Sequence, residues 1–192
     1  TLLQVDQPQA VEAYLRERAW LDLGESVQQL SPAGEGNMNL TLRVTTGSRT
    51  FVVKQSRPWV EKYPSIPAPE DRVLMEAKFY QSVSHFGEIA ERMPRLLDCD
   101  EKNFVALLED LGETADFTDL YNDGLASFAP LHELCQWLAA LHGAEFDLET
   151  RQCLENVEMR KLNHEHLYCY PLRHDNGLDL DAITPGLAAA AA

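Results

Sequence analysis

Positive charge is scarce in this chain. Lys and Arg number 16 among 192 residues against 31 Asp and Glu, a formal balance of −15, of which −5 falls in residues 1–112 and −10 in residues 113–192. Such a surface repels polyanions, which argues against nucleic acid and anionic membranes as partners. A single nucleotide is a different matter, because one loop and one lysine hold a phosphate against the global field, the more so with a divalent cation. Cysteine is scarce too. Cys99, Cys135, Cys153 and Cys169 have no C-x-x-C spacing, so they read as reduced thiols and not as a zinc site or a disulfide framework. Missing as well are an apolar run near the roughly 20 residues that cross a bilayer and a basic-then-apolar leader, so a cytoplasmic protein is expected. The chain opens on a threonine and closes on "PGLAAAAA", which reads as a piece of a longer polypeptide.

What is present is enough apolar material, 45% of residues, for one large core or two small lobes. In "QPQAVEAYLRERAW", Val11, Tyr14, Leu15 and Arg18 recur at helical spacing, which predicts an amphipathic helix packed on the outside of the elements after it. Residues 27–56 then alternate. Leu40, Leu42 and Val44 share one face, Gly47 marks a turn, and Phe51 and Val53 oppose Val52 and Lys54, the pattern of an antiparallel meander. "GEGNMN" (residues 34–39) sits between its first two strands. Four prolines in "RPWVEKYPSIPAPEDR" predict an ordered connection without regular structure. A helix over 70–84 comes next, with Val73, Tyr80 and Val83 on an apolar stripe that also carries Glu76. "MPRLLDCDEKNFVALLEDLG" predicts two more strands joined by a turn at Asp100–Asn103. The expected fold is therefore α+β: an antiparallel sheet of about five strands with one inserted helix. Beyond Gly112, "LHELCQWLAALHG" places Leu131, Leu134, Leu138 and Leu141 on one face before Gly143, as in a core helix of a second lobe.

Lys54 and Glu76 make sense together. A lysine on a central strand and a glutamate on a buried stripe each cost free energy alone, and pairing offsets most of that cost. A fixed ammonium facing a glycine loop on the same sheet is suited to the phosphates of a nucleotide. The spacing also leaves open a plainer arrangement, an exposed strand lysine and a solvated helix glutamate. The loop is no Walker motif, because it lacks the G-K-[ST] ending, lies between strands and has Asn39 at the third glycine position. Its glycines, Gly34 and Gly36, free backbone N–H groups to face an anion. Asn37 offers a side-chain amide or serves turn geometry, and Glu35 is expected to face solvent. After the last strand, Glu109, Asp110 and Leu111 offer backbone groups to an adenine edge or simply end the strand. Two further clusters do not make metal sites by spacing: Asp179 and Asp181 in "DLDAITPG", and His164 and His166 in "NHEH", which lack the H-E-x-x-H interval and are expected to pack in a loop.

The order of "GEGNMNL", "FVVKQSRPWV", the glutamate helix, the strand pair, "EDL" and "LAALHG" resembles the small-molecule kinases related to aminoglycoside phosphotransferases and choline kinases. With "EMRKLNHEHLYCYPLRHDNGLDLDAITPGL" added, the likeness from Leu30 to Leu187 is to the 5-methylthioribose kinases. This resemblance implies a protein-kinase-like fold, with a nucleotide-binding lobe at residues 1–111 and the hinge and first part of a helical lobe at 112–192. It implies transfer of the ATP γ-phosphate, with Mg2+, to the anomeric hydroxyl of 5-methylthioribose in methionine salvage. Gly34, Gly36, Asn37 and Lys54 would contact ATP, Glu76 would orient Lys54, and Glu109, Asp110 and Leu111 would receive adenine. The catalytic aspartate and the metal-binding motif are expected beyond Leu187, which leaves residues 1–192 inactive alone. A homodimer is also implied. The alternatives are a related kinase for choline, homoserine or an aminoglycoside, and a non-catalytic nucleotide-binding pseudokinase.

Overall fold

The computed structural model describes residues 1–34, 36–112, 128–173, 175–177 and 179–191. By contacts the chain divides into two units, residues 1–154 and 155–192.

The first unit is α+β. Helix α1 (Pro8–Glu17) opens with proline at its first turn, where the missing N–H costs nothing, and turns Val11, Tyr14 and Leu15 inward. Strands β1 (Val27–Pro32), β2 (Leu40–Thr46) and β3 (Thr50–Gln55) form the expected meander, rich in β-branched residues. After an insertion come β6 (Leu96–Asp100) and β7 (Val105–Glu109), and the five strands lie in the order β1-β2-β3-β7-β6, all antiparallel. The period of two decides the faces. Leu42, Val44, Phe51, Val53, Val105 and Leu107 point into one core with Leu3, Val11, Tyr14, Leu15 and Trp20. Helix α1 thus packs on the outside of the sheet, as expected, and its inner face is a wall of that core. Each such side chain contributes about 1.5–3 kcal/mol by leaving water, so α1 and the sheet stabilise one another. Arg18 lies past the helix end, and its guanidinium reaches Asp100 at 3.4 Å.

The insertion corrects one expectation. The proline-rich stretch is not irregular throughout: β4 (Trp59–Val60) and β5 (Tyr63–Pro67) pair as a small separate sheet, with Trp59 opposite Pro67 and Val60 opposite Tyr63. A two-stranded ribbon has only edges, so a proline without N–H is tolerated in it. Helix α2 (Arg72–Val83) buries Val73, Ala77 and Val83, and a short helix α3 (Gly87–Ala90) buries Ile89. Helix α4 (Phe128–Gly143), expected as a core helix, has no fully buried side chain among the described residues, and Leu131 and Leu138 are exposed. It packs on α3, where Trp137 Nε1 donates to the Ile89 carbonyl (3.2 Å), and Arg92 pairs with Glu133 (2.7 Å). Helix α5 (Leu148–Cys153) is capped by Asp147, which accepts from the Thr150 N–H. The lobe boundary read at residues 111 and 112 opens onto residues 113–127, outside the described residues. No helix among the described residues is long and apolar enough to cross a membrane.

In the second unit, α6 (Val157–His164) runs on through a π-helical turn, Glu165–Cys169, and a 3-10 turn, Tyr170–Leu172. His164 and His166 therefore stand on helical backbone and not in a loop, with their rings beside Tyr168 and Tyr170. The turn after it is closed by Asn176 Nδ2 donating to the Pro171 carbonyl and Tyr170 donating to the Asn176 carbonyl. Asp179 caps α7 (Leu180–Ile183), accepting from the Ala182 N–H at 3.0 Å, and α8 (Leu187–Ala191) ends the chain's described part.

Candidate functional site

The face of the sheet turned away from the α1 core carries Thr41, Arg43, Val52, Lys54, Ala106 and Leu108. Register places Lys54 between Thr41 on β2 and Ala106 on β7, and Val52 between Arg43 and Leu108. Lys54 Nζ donates to Glu76 Oε1 at 2.7 Å, and both side chains are about three-quarters buried. The expected ion pair is thus formed. It joins the central strand to α2 across 22 residues of sequence. Its position is neither deep core nor open surface, where exposed pairs contribute little, and its value lies in holding the ammonium in one place. Tyr80, one turn beyond Glu76, has its phenol pushed up to about 12 by burial and then by the Glu76 charge, so it stays neutral.

The glycine loop springs from the strand next to Lys54. Ala33 N–H donates to the Thr41 carbonyl (2.9 Å), closing the neck between β1 and β2. Gly34 sits at φ +90°, a conformation that a Cβ makes costly, and a Cβ on Gly36 would lie 3.2 Å from the Asn39 carbonyl oxygen. The loop is docked on the β4–β5 hairpin, whose Lys62 and Glu61 N–H groups donate to the carbonyls of Asn37 and Met38. Gly34, Gly36 and Asn37 are exposed, while Asn39 is buried. Glu35 lies outside the described residues.

A cavity of about 420 Å³ lies beside the loop, lined by Ala33, Gly34, Arg43, Val52, Pro94, Glu109, Asp110, Leu111 and Gly112. The three residues read as an adenine-receiving edge are therefore brought together with the first loop glycine. Lys54 is two residues farther along β3 than Val52, roughly 7 Å at strand rise, which suits a ligand with its ring in the cavity and its phosphates at the ammonium.

Arg43 was not singled out by the sequence, yet it organises this edge. Its Nη2 donates to Asp110 Oδ1 (2.9 Å) and to the Gly112 carbonyl (2.7 Å), and its Nε lies 2.9 Å from Oδ2. Burial acts to raise the Asp110 carboxyl, but Arg43 and the Gly112 N–H outweigh it and hold it below the usual range. Strand alternation could have found Arg43, since it shares a face with Lys54. The Glu109 carboxylate is occupied by Arg95, at 3.1 Å, so it is a strand-end clamp and offers only backbone to a ligand. Leu111 is exposed between these anchored neighbours.

A larger cavity of about 780 Å³ runs between α2, α3 and β6 and shares only Glu109 and Pro94 with this site. Its one thiol, Cys99, is pushed up to about 11 by burial and then by Glu101, Asp98 and Asp100, which leaves it unreactive at neutral pH. Among the described residues no group of three His, Cys, Asp or Glu side chains is placed to hold a metal ion.

No family model matches the chain, and no curated protein matches it.

Proposed function

We propose that this chain is the nucleotide-binding part of an ATP-dependent small-molecule kinase with a protein-kinase-like fold. The observation that carries the proposal is the 2.7 Å Lys54–Glu76 pair, set on the strand adjacent to the one that bears the glycine loop. The 420 Å³ cavity takes adenine against Val52 and the backbone of residues 109–112. Lys54 contacts the α- and β-phosphates, Glu76 keeps its ammonium in place, and the N–H groups near Gly34 and Gly36 face the phosphate oxygens. Such fixed charges act where phosphoryl transfer needs them, since positioning and electrostatics supply nearly all of that catalysis. Among the described residues no group of His, Cys, Asp or Glu side chains fits Mg2+. The acceptor, 5-methylthioribose at its anomeric hydroxyl, rests on the resemblance of residues 158–187, and a cytoplasmic place in methionine salvage and a homodimer rest on the same likeness.

Calorimetry of residues 1–192 with Mg·ATP tests the nucleotide claim: saturable binding is expected, with no phosphoryl transfer by these residues alone. Absence of binding by the folded chain would contradict it. Assays of the full-length protein with methylthioribose, choline and homoserine then separate the acceptors.

A further inference from the structure

Arg72 is the first residue of α2 and is 5% exposed. Three features of that place are unfavourable to a cation. The helix N-terminus carries positive partial charge, burial removes water from the guanidinium and pushes it below its usual range, and no carboxylate pairs with it among the described residues. Glu61 faces it but pairs with Arg57 at 2.9 Å, and Glu70 and Asp71 act on it only through space. Instead the guanidinium is surrounded by carbonyls. Nη1 donates to those of Arg57 (2.5 Å) and Pro69 (2.6 Å), and Nη2 donates to those of Trp59 (3.0 Å) and Met38.

These four carbonyls belong to three separate segments. Met38 ends the glycine loop, Arg57 and Trp59 lead into the β4–β5 hairpin, and Pro69 precedes α2. One helical turn beyond Arg72, on the same side of α2, stands Glu76. The planar fork of arginine can reach all four acceptors at once, which a lysine cannot.

We propose that Arg72 is a positioning residue that locks the glycine loop to the first turn of α2 and so sets the loop's placement relative to the Lys54–Glu76 pair. Its meaning for ligand binding rests on the nucleotide function proposed above. Among the described residues the loop is also held to the hairpin by the Lys62 N–H bond to the Asn37 carbonyl and the Glu61 N–H bond to the Met38 carbonyl, and Arg72 shares the latter carbonyl.

The test uses Arg72→Met and Arg72→Lys in residues 1–192. Folding is followed by near-ultraviolet circular dichroism, amide exchange by mass spectrometry and NMR, and Mg·ADP affinity by calorimetry. A folded Arg72→Met is expected to exchange the Glu61 and Lys62 amides at least about tenfold faster while Val44 and Val53 in the sheet are unchanged. Its Kd for Mg·ADP should rise on the order of tenfold, the loss expected when one charge-assisted hydrogen bond to a phosphate is given up; Arg72→Lys should fall between. Unchanged Glu61 and Lys62 exchange, uniform acceleration across the sheet, or an unchanged Kd would overturn the proposal. If Arg72→Met does not fold, Arg72→Lys is read by the same criteria; if neither folds, Arg72 supports the whole unit and the proposal falls. Should the wild-type chain not bind Mg·ADP, the nucleotide function fails, and the exchange arm still decides the lock.

Discussion

At the scale of single residues, the best-satisfied carboxylate among the described residues is Glu25, beside the β2–β3 turn. It is buried and accepts from Thr46 Oγ1 (2.5 Å), Ser48 Oγ (2.9 Å), both Arg49 donors (3.2 and 3.1 Å) and the Asp22 N–H (2.9 Å). The Arg49 bond foremost, against an opposing effect of burial, brings its pKa down to about 2 from an ordinary 4.5. A carboxyl depressed on folding contributes stability that is complete above the unfolded value and is lost as pH falls through the folded one. Glu25→Gln should therefore cost about 2 kcal/mol at neutral pH, since hydrogen bonds to a charged group are worth about 1.5–3. The gap between wild type and variant should hold down to about pH 5 and close between about 4.5 and 2. Thermal melts of both proteins across pH check it, and a gap that widens on acidification would contradict the assignment. Arg72 and Arg43 show why residue roles were harder to read than faces. Arginine is seldom buried, and a single Arg after "PED" looks like solvated helix surface; that it binds four carbonyls depends on segments brought in from 38, 57, 59 and 69.

Among the elements, helix α1 packs on the outside of the sheet as its spacing predicts, and its inner face closes the core there. Its spacing identified Val11, Tyr14 and Leu15 as one face but said nothing of how much that face covers. Leu15 is fully buried against the sheet core, and Tyr14 OH donates to Asp100 Oδ2 (2.8 Å). Leu15→Ala should lower stability by about 2–5 kcal/mol, the range for a buried leucine that leaves a cavity. Chemical denaturation measures it, and a loss well under about 1 kcal/mol would make α1 a peripheral helix after all. The strands were legible because a period of two assigns every side chain to a face; "LTLRVTT" shows it plainly, while in "TFVVKQ" it emerges in the burial of Phe51 and Val53 against the partly buried Val52 and Lys54. The β4–β5 ribbon was not, since its pairing is set by tertiary placement while its prolines argue locally against any strand. Helix α4 was legible as a helix but not in its burial, because hydrophobic spacing marks a face without naming what covers it.

For the whole molecule, the described part of the first unit consists of an α+β sheet whose two faces do different work. The face toward α1 holds the core, and the opposite face gathers Lys54, Arg43, the glycine loop and the strand end at residues 109–112 around α2. Of those groups, spacing offered only the pairing of a strand lysine with a stripe glutamate, beside the plainer arrangement of two solvated side chains; the 2.7 Å contact, the cavity and the Arg43 anchor needed the fold. The central claim is that Lys54 and Glu76 act as one unit on a nucleotide. The most direct test is the Kd of residues 1–192 for Mg·ATP in wild type, Lys54→Ala, Glu76→Gln and the double variant, with folding monitored throughout. Groups in direct contact are non-additive, so each single change should weaken binding and the double variant should bind no worse than Lys54→Ala alone, to within about 0.5 kcal/mol. Fully additive losses, or single variants that bind like wild type, would contradict it.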